Sequence, residues 1–282
     1  MVADAIRTGR LLSKNTRPQN VVYPGLLAAS VAYTQGAPLA QCVVCYLLIL
    51  CIYAVAASVN NIADIRTDRL NRRTDNPLAT RLLRPQELTP FILIALCGII
   101  VLQVYLAQPY SIGIVVAYVV LLYMYSTTRY NLQSRGLWGS TALCICYSAL
   151  PVLLGVYQKP TGIHGRLFPV VAWALLATLP IILAKDYKDY TGDKRTGKLT
   201  PLVRFGAVKL RKITYAVLAL SSIAYLVLTW THRAEHLWLA AVSVTAYALL
   251  TIVLHRKSGA LPKLYKTALL FLLIAMVNLL LR

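Results

Sequence analysis

The sequence predicts an all-α integral membrane protein with nine transmembrane helices, and three observations predict it. Of the 282 residues, 58% are hydrophobic and 13% charged, with a mean hydropathy of +0.63; a soluble domain usually keeps its apolar fraction under about half. The apolar residues fall into blocks near the ~20 residues that cross ~30 Å of hydrocarbon at ~1.5 Å per residue. The Lys and Arg sit in short polar segments between those blocks, and mostly in alternate ones. No polar linker interrupts the series, so residues 1–282 read as a single domain.

Taken in order, residues 1–19 are basic and polar, with no apolar run before the first span, and so predict no cleavable signal peptide. The first span, 20–36, is the least apolar: it contains Pro24 and Gly25 and ends in Thr34, Gln35 and Gly36. The second, 39–60, carries Cys42, Cys45 and Cys51. The Cys42–Cys45 spacing has no second pair or histidine cluster with it, so these residues, like Cys97, Cys144 and Cys146, read as small buried hydrophobes. The remaining spans are 90–107, 110–127, 137–157, 167–185, 212–231, 235–254 and 264–281.

The net charge of +20 would suit nucleic acid, but its placement excludes that reading. All but four of the 29 Lys and Arg fall in the N-terminal segment or after spans 2, 4, 6 and 8; the exceptions are Lys159, Arg166, Arg233 and Arg282. That asymmetry predicts nine spans, with the N-terminus cytoplasmic and the C-terminus on the opposite side. The basic face also suits anionic head groups or a phosphorylated substrate.

The nine acids are more concentrated still. Asp64, Asp68, Asp75 and Glu87 follow span 2, and Asp186, Asp189 and Asp193 follow span 6. If the second span continues as helix, Asn60, Asp64 and Asp68 lie at i, i+4 and i+8 on one face. Asp189 and Asp193 repeat the i, i+4 spacing, with Asp186 three residues earlier. Carboxylates crowded on one face repel unless a cation neutralises them. Mg²⁺ suits this arrangement, since it takes one or two carboxylates together with substrate phosphates. Two such faces can hold Mg²⁺ ions that bridge a diphosphate, with the neighbouring Arg and Lys taking the remaining phosphate charge. Asp75 and Glu87 lie off the pattern.

With Asn60, Asn61, Asp64 and Asp68 standing as NNxxDxxxD, and Asp186, Asp189, Gly192 and Asp193 as the second motif, the sequence resembles the UbiA superfamily of intramembrane prenyltransferases. That family's first motif is NDxxDxxxD and its second commonly DxxDxxxD with a Gly-Asp. The resemblance covers almost the whole chain. Smaller matches are Arg17-Pro18-Gln19-Asn20 at the start of span 1, Tyr125 to Arg129 in place of a YxxxK element, and Gly197-Lys198-Leu199-Thr200-Pro201 after the second motif. The departures are Asn61 for Asp, and Asn76 and Arg81 for the Arg and Gly of an RPLASG-like stretch.

The resemblance implies nine helices around a central cavity under two Asp-rich cap loops on the cytoplasmic side. There, Mg²⁺ and a prenyl diphosphate would meet an acceptor molecule at the edge of the lipid bilayer. Asn60, Asp64 and Asp68 would hold one Mg²⁺; Asp189 and Asp193, with Asp186, would hold another. Arg17, Lys185 and one of Arg72 or Arg73 would contact the diphosphate, and Tyr125 and Arg129 would face substrate. An aromatic acceptor such as 4-hydroxybenzoate or a quinone precursor is the default, because such acceptors are common in the family. Alternatives are a lipid- or sugar-phosphate acceptor or a terpene cyclase on the same fold, and, from another class, an ion-coupled transporter. The transporter predicts acids near the bilayer midplane.

Overall fold

The computed structural model describes the chain apart from residues 1, 18–19, 128, 160–163, 257–261 and 281–282; the side chains of 2–8, 164–166, 232–234, 262–264 and 280 also lie outside the description. The described residues are overwhelmingly helical: α1 (Val2–Asn15), α2 (Val22–Thr34), α3 (Leu39–Ala63), α4 (Ile65–Leu70), α5 (Thr89–Leu106), α6 (Pro109–Ser126), α7 (Leu137–Cys144), α8 (Leu150–Val156), α9 (His164–Ala184), α10 (Asp186–Thr196), α11 (Pro201–Arg233), α12 (Leu237–Arg256) and α13 (Pro262–Leu280). An isolated bridge pairs Arg135 with Leu199.

Among the described residues, seven helices are long and apolar enough to cross a membrane: α3, α5 with the 3₁₀ turn before it, α6, α7 continuing into α8, the Leu167–Ala184 part of α9, the Pro201–Thr231 part of α11 and α12. The first and last predicted spans also form apolar helices, but shorter ones: α2 has 13 residues, and the described apolar stretch of α13 is Tyr265–Leu279. Gly36, at φ +80, takes the left-handed conformation that stops α2. The seventh predicted span began at 212, but α11 starts eleven residues earlier, at Pro201. It is kinked at Gly206 (φ 72, ψ 163), and its basic residues, Arg204, Lys209, Arg211 and Lys212, lie on both sides of the kink, before the apolar remainder.

One span is irregular for a reason visible in its sequence. Between α7 and α8 lies a π turn, Ile145–Ala149. The Leu150 N–H bonds the Ile145 carbonyl, and Pro151 has no N–H to give. The Cys146 carbonyl is thereby left without a helical donor. It accepts from the Tyr53 hydroxyl of α3 at 3.3 Å and from the Tyr118 hydroxyl of α6. A local defect in one helix thus becomes a tie among three.

Other polar ties join the later helices. Trp173 of α9 donates to the Ser221 carbonyl of α11 at 2.9 Å and stacks on Tyr225. Asn278 of α13 donates to the Tyr225 hydroxyl at 3.2 Å. Outer faces remain apolar and exposed, as at Ile94, Val101 and Val104 of α5, which suits contact with lipid. Cys97 is on such a face, exposed, and Cys51 is part-buried; the other four cysteines are buried as expected.

The two acid-rich segments, expected as loops, contain helices. The first holds α4. The second is α10, with Asp186 and Asp189 in its first turn and Lys194 and Arg195 in its last. That arrangement complements the helix dipole.

Candidate active site

α3 ends at Asp64, where the dihedrals (φ −94, ψ 6) leave the helical region. The hydrogen-bond ladder nevertheless runs through the break: the Asp64 N–H bonds the Asn60 carbonyl at 2.9 Å and the Asp68 N–H bonds the Asp64 carbonyl at 2.8 Å. The expected single face is therefore kept. Asn60, Asp64 and Asp68 line one wall of a cavity of about 380 Å³, and Asp189 and Asp193 of α10 line the same cavity.

Each acid is held. The Asn60 amide donates to Asp64 at 2.9 Å, and Asp64 also accepts from Gln133 at 3.1 Å and from the Lys198 ammonium at 2.5 Å. Asp68, buried, accepts from Asn76 at 2.8 Å and has Arg17 at 3.5 Å and Arg73 at 3.7 Å. Burial pushes the Asp68 carboxyl up, although Arg73, Asn76 and Arg17 oppose it. Arg73 lies 3.2 Å from Asp189 across the cavity. Burial also raises the Asp193 carboxyl, to about 7, with Asp189 adding to the rise and Lys198 opposing it.

Asp75, off the pattern by spacing, proves to be a cavity residue. It is ion-paired with Arg73 and lies 3.8 Å from Arg17. Burial alone would raise its carboxyl, but the Arg73 hydrogen bond and charge, with Arg17, hold it well below the usual carboxylate range. Glu87 stays outside the site, accepting from the Arg84 N–H.

Three expected residues are not brought to the cavity wall. Asp186 is buried at the foot of α10, 3.3 Å from the Lys185 ammonium. Its other oxygen has no hydrogen-bond partner, and burial raises its carboxyl against the opposing Lys185 charge. Arg72 takes a left-handed conformation (φ 52), which turns it outward to an exposed position. Of the two neighbours, Arg73 is the one that lines the cavity. Arg129 is exposed and lies over the Tyr130 ring, away from the cavity. Arg17, Tyr125 and Lys185 do line it, and the Lys185 ammonium donates to the Tyr125 hydroxyl at 3.1 Å. Pro18, Gln19 and Thr128 lie outside the described residues.

The departures from the family pattern have structural accounts. Asn61 faces away from the cavity, donating to the Asn15 side chain and carbonyl at 2.9 and 3.0 Å and accepting from Arg17 at 2.5 Å. Asn76 is fully buried; its amide donates to the Asn61 carbonyl, and its oxygen accepts from the Leu78 N–H at 3.0 Å. Arg81 has φ 60, the backbone region that favours the Gly of the family pattern.

Several site residues were missed. Lys198 follows the left-handed Gly197, and its own N–H bonds the Asp193 carbonyl at 2.9 Å. That turn sends the side chain back to Asp64; the Gly-Lys pair after the second motif was its available signal. Gln133, Lys188 and Lys266 carried none. The other end of the cavity is mainly apolar and aromatic, with Tyr53, Leu122, Leu143, Tyr147, Ile182 and Leu254.

Among the described residues, no three His, Cys, Asp or Glu side chains converge as a closed metal site. The donor set still fits Mg²⁺, which takes few protein oxygens and completes its shell with water and phosphate. The carboxylates face each other in two groups, with the cationic groups of Lys198 and Arg73 beside them. Site residues, charge and apolar space therefore suit a diphosphate carrying an apolar chain.

Residues 21–277 match the model described as the UbiA prenyltransferase family. A curated relative, the digeranylgeranylglyceryl phosphate synthase of Methanoregula boonei, is 30% identical over 220 residues, which is 75% of either chain. A UbiA homolog from Archaeoglobus fulgidus bound to GPP and Mg²⁺ superposes with a TM-score of 0.77 at 16% identity, covering 96% of this chain and 98% of that one. The homolog from the same organism bound to DMAPP and Mg²⁺ gives 0.74 at 18% identity, over 95% and 97%. A digeranylgeranylglyceryl phosphate synthase structure gives 0.69 at 17% identity, over 96% and 97%. At these identities the structural likenesses establish the fold.

Proposed function

This chain is a multi-pass membrane prenyltransferase of the UbiA family, and we propose that it uses Mg²⁺ to transfer a prenyl group from a prenyl diphosphate to a glyceryl lipid bearing a phosphate. The observation that carries the reading is the cavity itself, with two facing acidic groups and cationic side chains at one end and an apolar, aromatic interior at the other. The relatives crystallised with GPP or DMAPP and Mg²⁺ support the donor and the metal.

Asn60, Asp64 and Asp68 would hold Mg²⁺ on one side, and Asp189 and Asp193 on the other. When bound, Mg²⁺ supplies charge neutralisation to the departing diphosphate. Arg73, Arg17 and Lys198 take the phosphate oxygens, exchanging carboxylate partners for them. Lys185 holds Tyr125 at the cavity wall. The prenyl chain lies against Tyr53 and Tyr147, whose ring faces favour the positive charge that develops at C1 as its C–O bond breaks. The acceptor hydroxyl bonds to C1 as the C1–O bond to diphosphate breaks, and its proton is taken up by the departing diphosphate. Low dielectric strengthens each of these contacts.

The lipid-phosphate acceptor is supported by the name of the Methanoregula boonei relative. It is also supported by Lys188 and Lys266, which line the cavity outside the ion pairs described above. The default aromatic acceptor has only its frequency in the family behind it. The test is turnover of a labelled prenyl diphosphate with Mg²⁺, offered either a glyceryl phosphate lipid or 4-hydroxybenzoate. Transfer to the lipid alone is expected. Transfer to the aromatic acid alone overturns the acceptor, and no Mg²⁺-dependent transfer to either overturns the reading.

The nine-span, sided topology belongs to the same proposal. Arg17 touches Asn61 near the end of α3, while Gly36 immediately precedes the start of α3, about 37 Å away along a 25-residue helix. α2, ~20 Å long over its 13 residues, covers about half of that distance, and the segments flanking it span the rest. Tyr265 and Lys266, near the start of α13, line the same cavity, and Lys266 belongs to the basic segment that follows α12. With the basic segments cytoplasmic, the N-terminus lies there and the C-terminus opposite.

A further inference from the structure

We infer that Asn71 is a positioning residue that fixes the gap between the two acidic segments as a neutral clamp, independent of the ionic contacts across the cavity. The inference rests on the reading of those segments as Mg²⁺ and diphosphate ligands.

Asn71 closes α4: its backbone N–H bonds the Thr67 carbonyl at 3.0 Å. Its side chain is then free to reach α10, and it meets the backbone there at two points. The amide nitrogen donates to the Asp189 carbonyl at 3.1 Å. The amide oxygen accepts from the Gly192 N–H at 2.6 Å. One planar amide thus grips α10 between Asp189 and Asp193, three residues after Asp68 on its own segment.

Gly192 is needed for this grip. A Cβ there would stand 2.4 Å from the Asn71 amide nitrogen and 2.6 Å from its oxygen. Any side chain there must either displace the Asn71 amide, breaking the grip, or drive the two segments apart. The second motif's glycine is therefore read as a close-approach residue, since its helical backbone has no need of glycine's conformational freedom.

The other cross-links are different in kind. Arg73 to Asp189 and Lys198 to Asp64 are charge pairs, and a bound diphosphate competes for the same cations. Thr67 to Thr196, at 3.4 Å, is long. The Asn71 contacts carry no net charge and use main-chain atoms, so they persist while Arg73 and Lys198 turn to phosphate. The carboxylates then keep their spacing as the cavity loads. Residues that orient metal ligands without touching the metal typically alter affinity ~10–100-fold when replaced.

The test uses the full chain in detergent or nanodiscs, with Asn71→Ala, Gly192→Ala and the double variant. In metal-free protein, hydrogen exchange over residues 186–196 rises in Asn71→Ala, while exchange in α9 and α11 and the melting transition are kept. Mn²⁺ titration by electron paramagnetic resonance, with inorganic diphosphate present, gives a half-saturation raised ~10-fold or more in either single variant. The double variant binds no worse than Gly192→Ala, because removing the Asn71 amide relieves the clash; the pair is non-additive. Unchanged exchange and unchanged Mn²⁺ half-saturation in Asn71→Ala overturn the clamp, as does a double variant that equals the sum of the singles. If Asn71→Ala fails to fold, Gly192→Ala still decides, since normal Mn²⁺ binding there overturns the proposal. Wild-type protein that binds no Mn²⁺ with diphosphate overturns the metal reading itself, whatever the exchange pattern.

Discussion

At the scale of the residue, the site divides side chains that look equivalent in sequence. Arg72 and Arg73 are neighbours, but a left-handed Arg72 faces out while Arg73 spans Asp75 and Asp189. Arg73→Ala is expected to lower prenyl transfer by ~10²-fold, and Arg72→Ala by less than about twofold; steady-state turnover at saturating Mg²⁺ compares them, and equal losses would contradict the assignment. Asp64→Ala and Asp189→Ala should each reduce turnover by ~10²-fold or more; prenylation unaffected by both would sink the metal site. Arg81 bears a left-handed backbone at φ 60. Arg81→Gly should therefore stabilise the fold by roughly 0.5–1 kcal/mol, read as a raised melting temperature in detergent. The spacing of Asn60, Asp64 and Asp68 was legible because a helix fixes i, i+4 and i+8 by itself. Lys198 was not, because it reaches Asp64 from a partner 134 residues away.

At the scale of the element, helix defects carry the design. The π turn before Pro151 frees the Cys146 carbonyl for Tyr53 and Tyr118. Tyr118→Phe removes one of those donors and should cost about 1 kcal/mol, since Tyr53 still serves the carbonyl. Chemical denaturation followed by tryptophan fluorescence measures it; a variant as stable as wild type would mean the carbonyl tie contributes nothing. Sequence announced Pro151, but which carbonyl it would release depended on where the turn widened. In the same way α10 announced its acids, while Asp186 ended at its foot, buried beside Lys185 and near the first turn of α11. Helical spacing sets the angle of a residue around the axis. It does not say which level of the helix meets a cavity and which meets a neighbour.

At the scale of the molecule, the motif acids Asp64, Asp68, Asp186, Asp189 and Asp193 sit at the end of α3, in α4 and in α10, outside the seven apolar spans. A transporter would want them near the midplane. The sided topology predicts that tags at the two ends are attacked by a membrane-impermeant protease from opposite faces of sealed vesicles. Cleavage of both from one face would overturn it.

The sequence alone carried what local rules govern: membrane spans from apolar length, a one-sided distribution of Lys and Arg, and the i, i+4 spacing of oxygen-bearing side chains from helical periodicity. Each needs only near neighbours along the chain. The tertiary structure alone decided the distance between the two acidic segments, the placing of Arg73 rather than Arg72 at the cavity, the arrival of Lys198 and Gln133 at Asp64, and the burial of Asp186 away from the cavity wall. Those depend on helices far apart in sequence meeting at fixed heights, through contacts such as Asn71 with Gly192. No periodicity within one segment encodes where another will touch it.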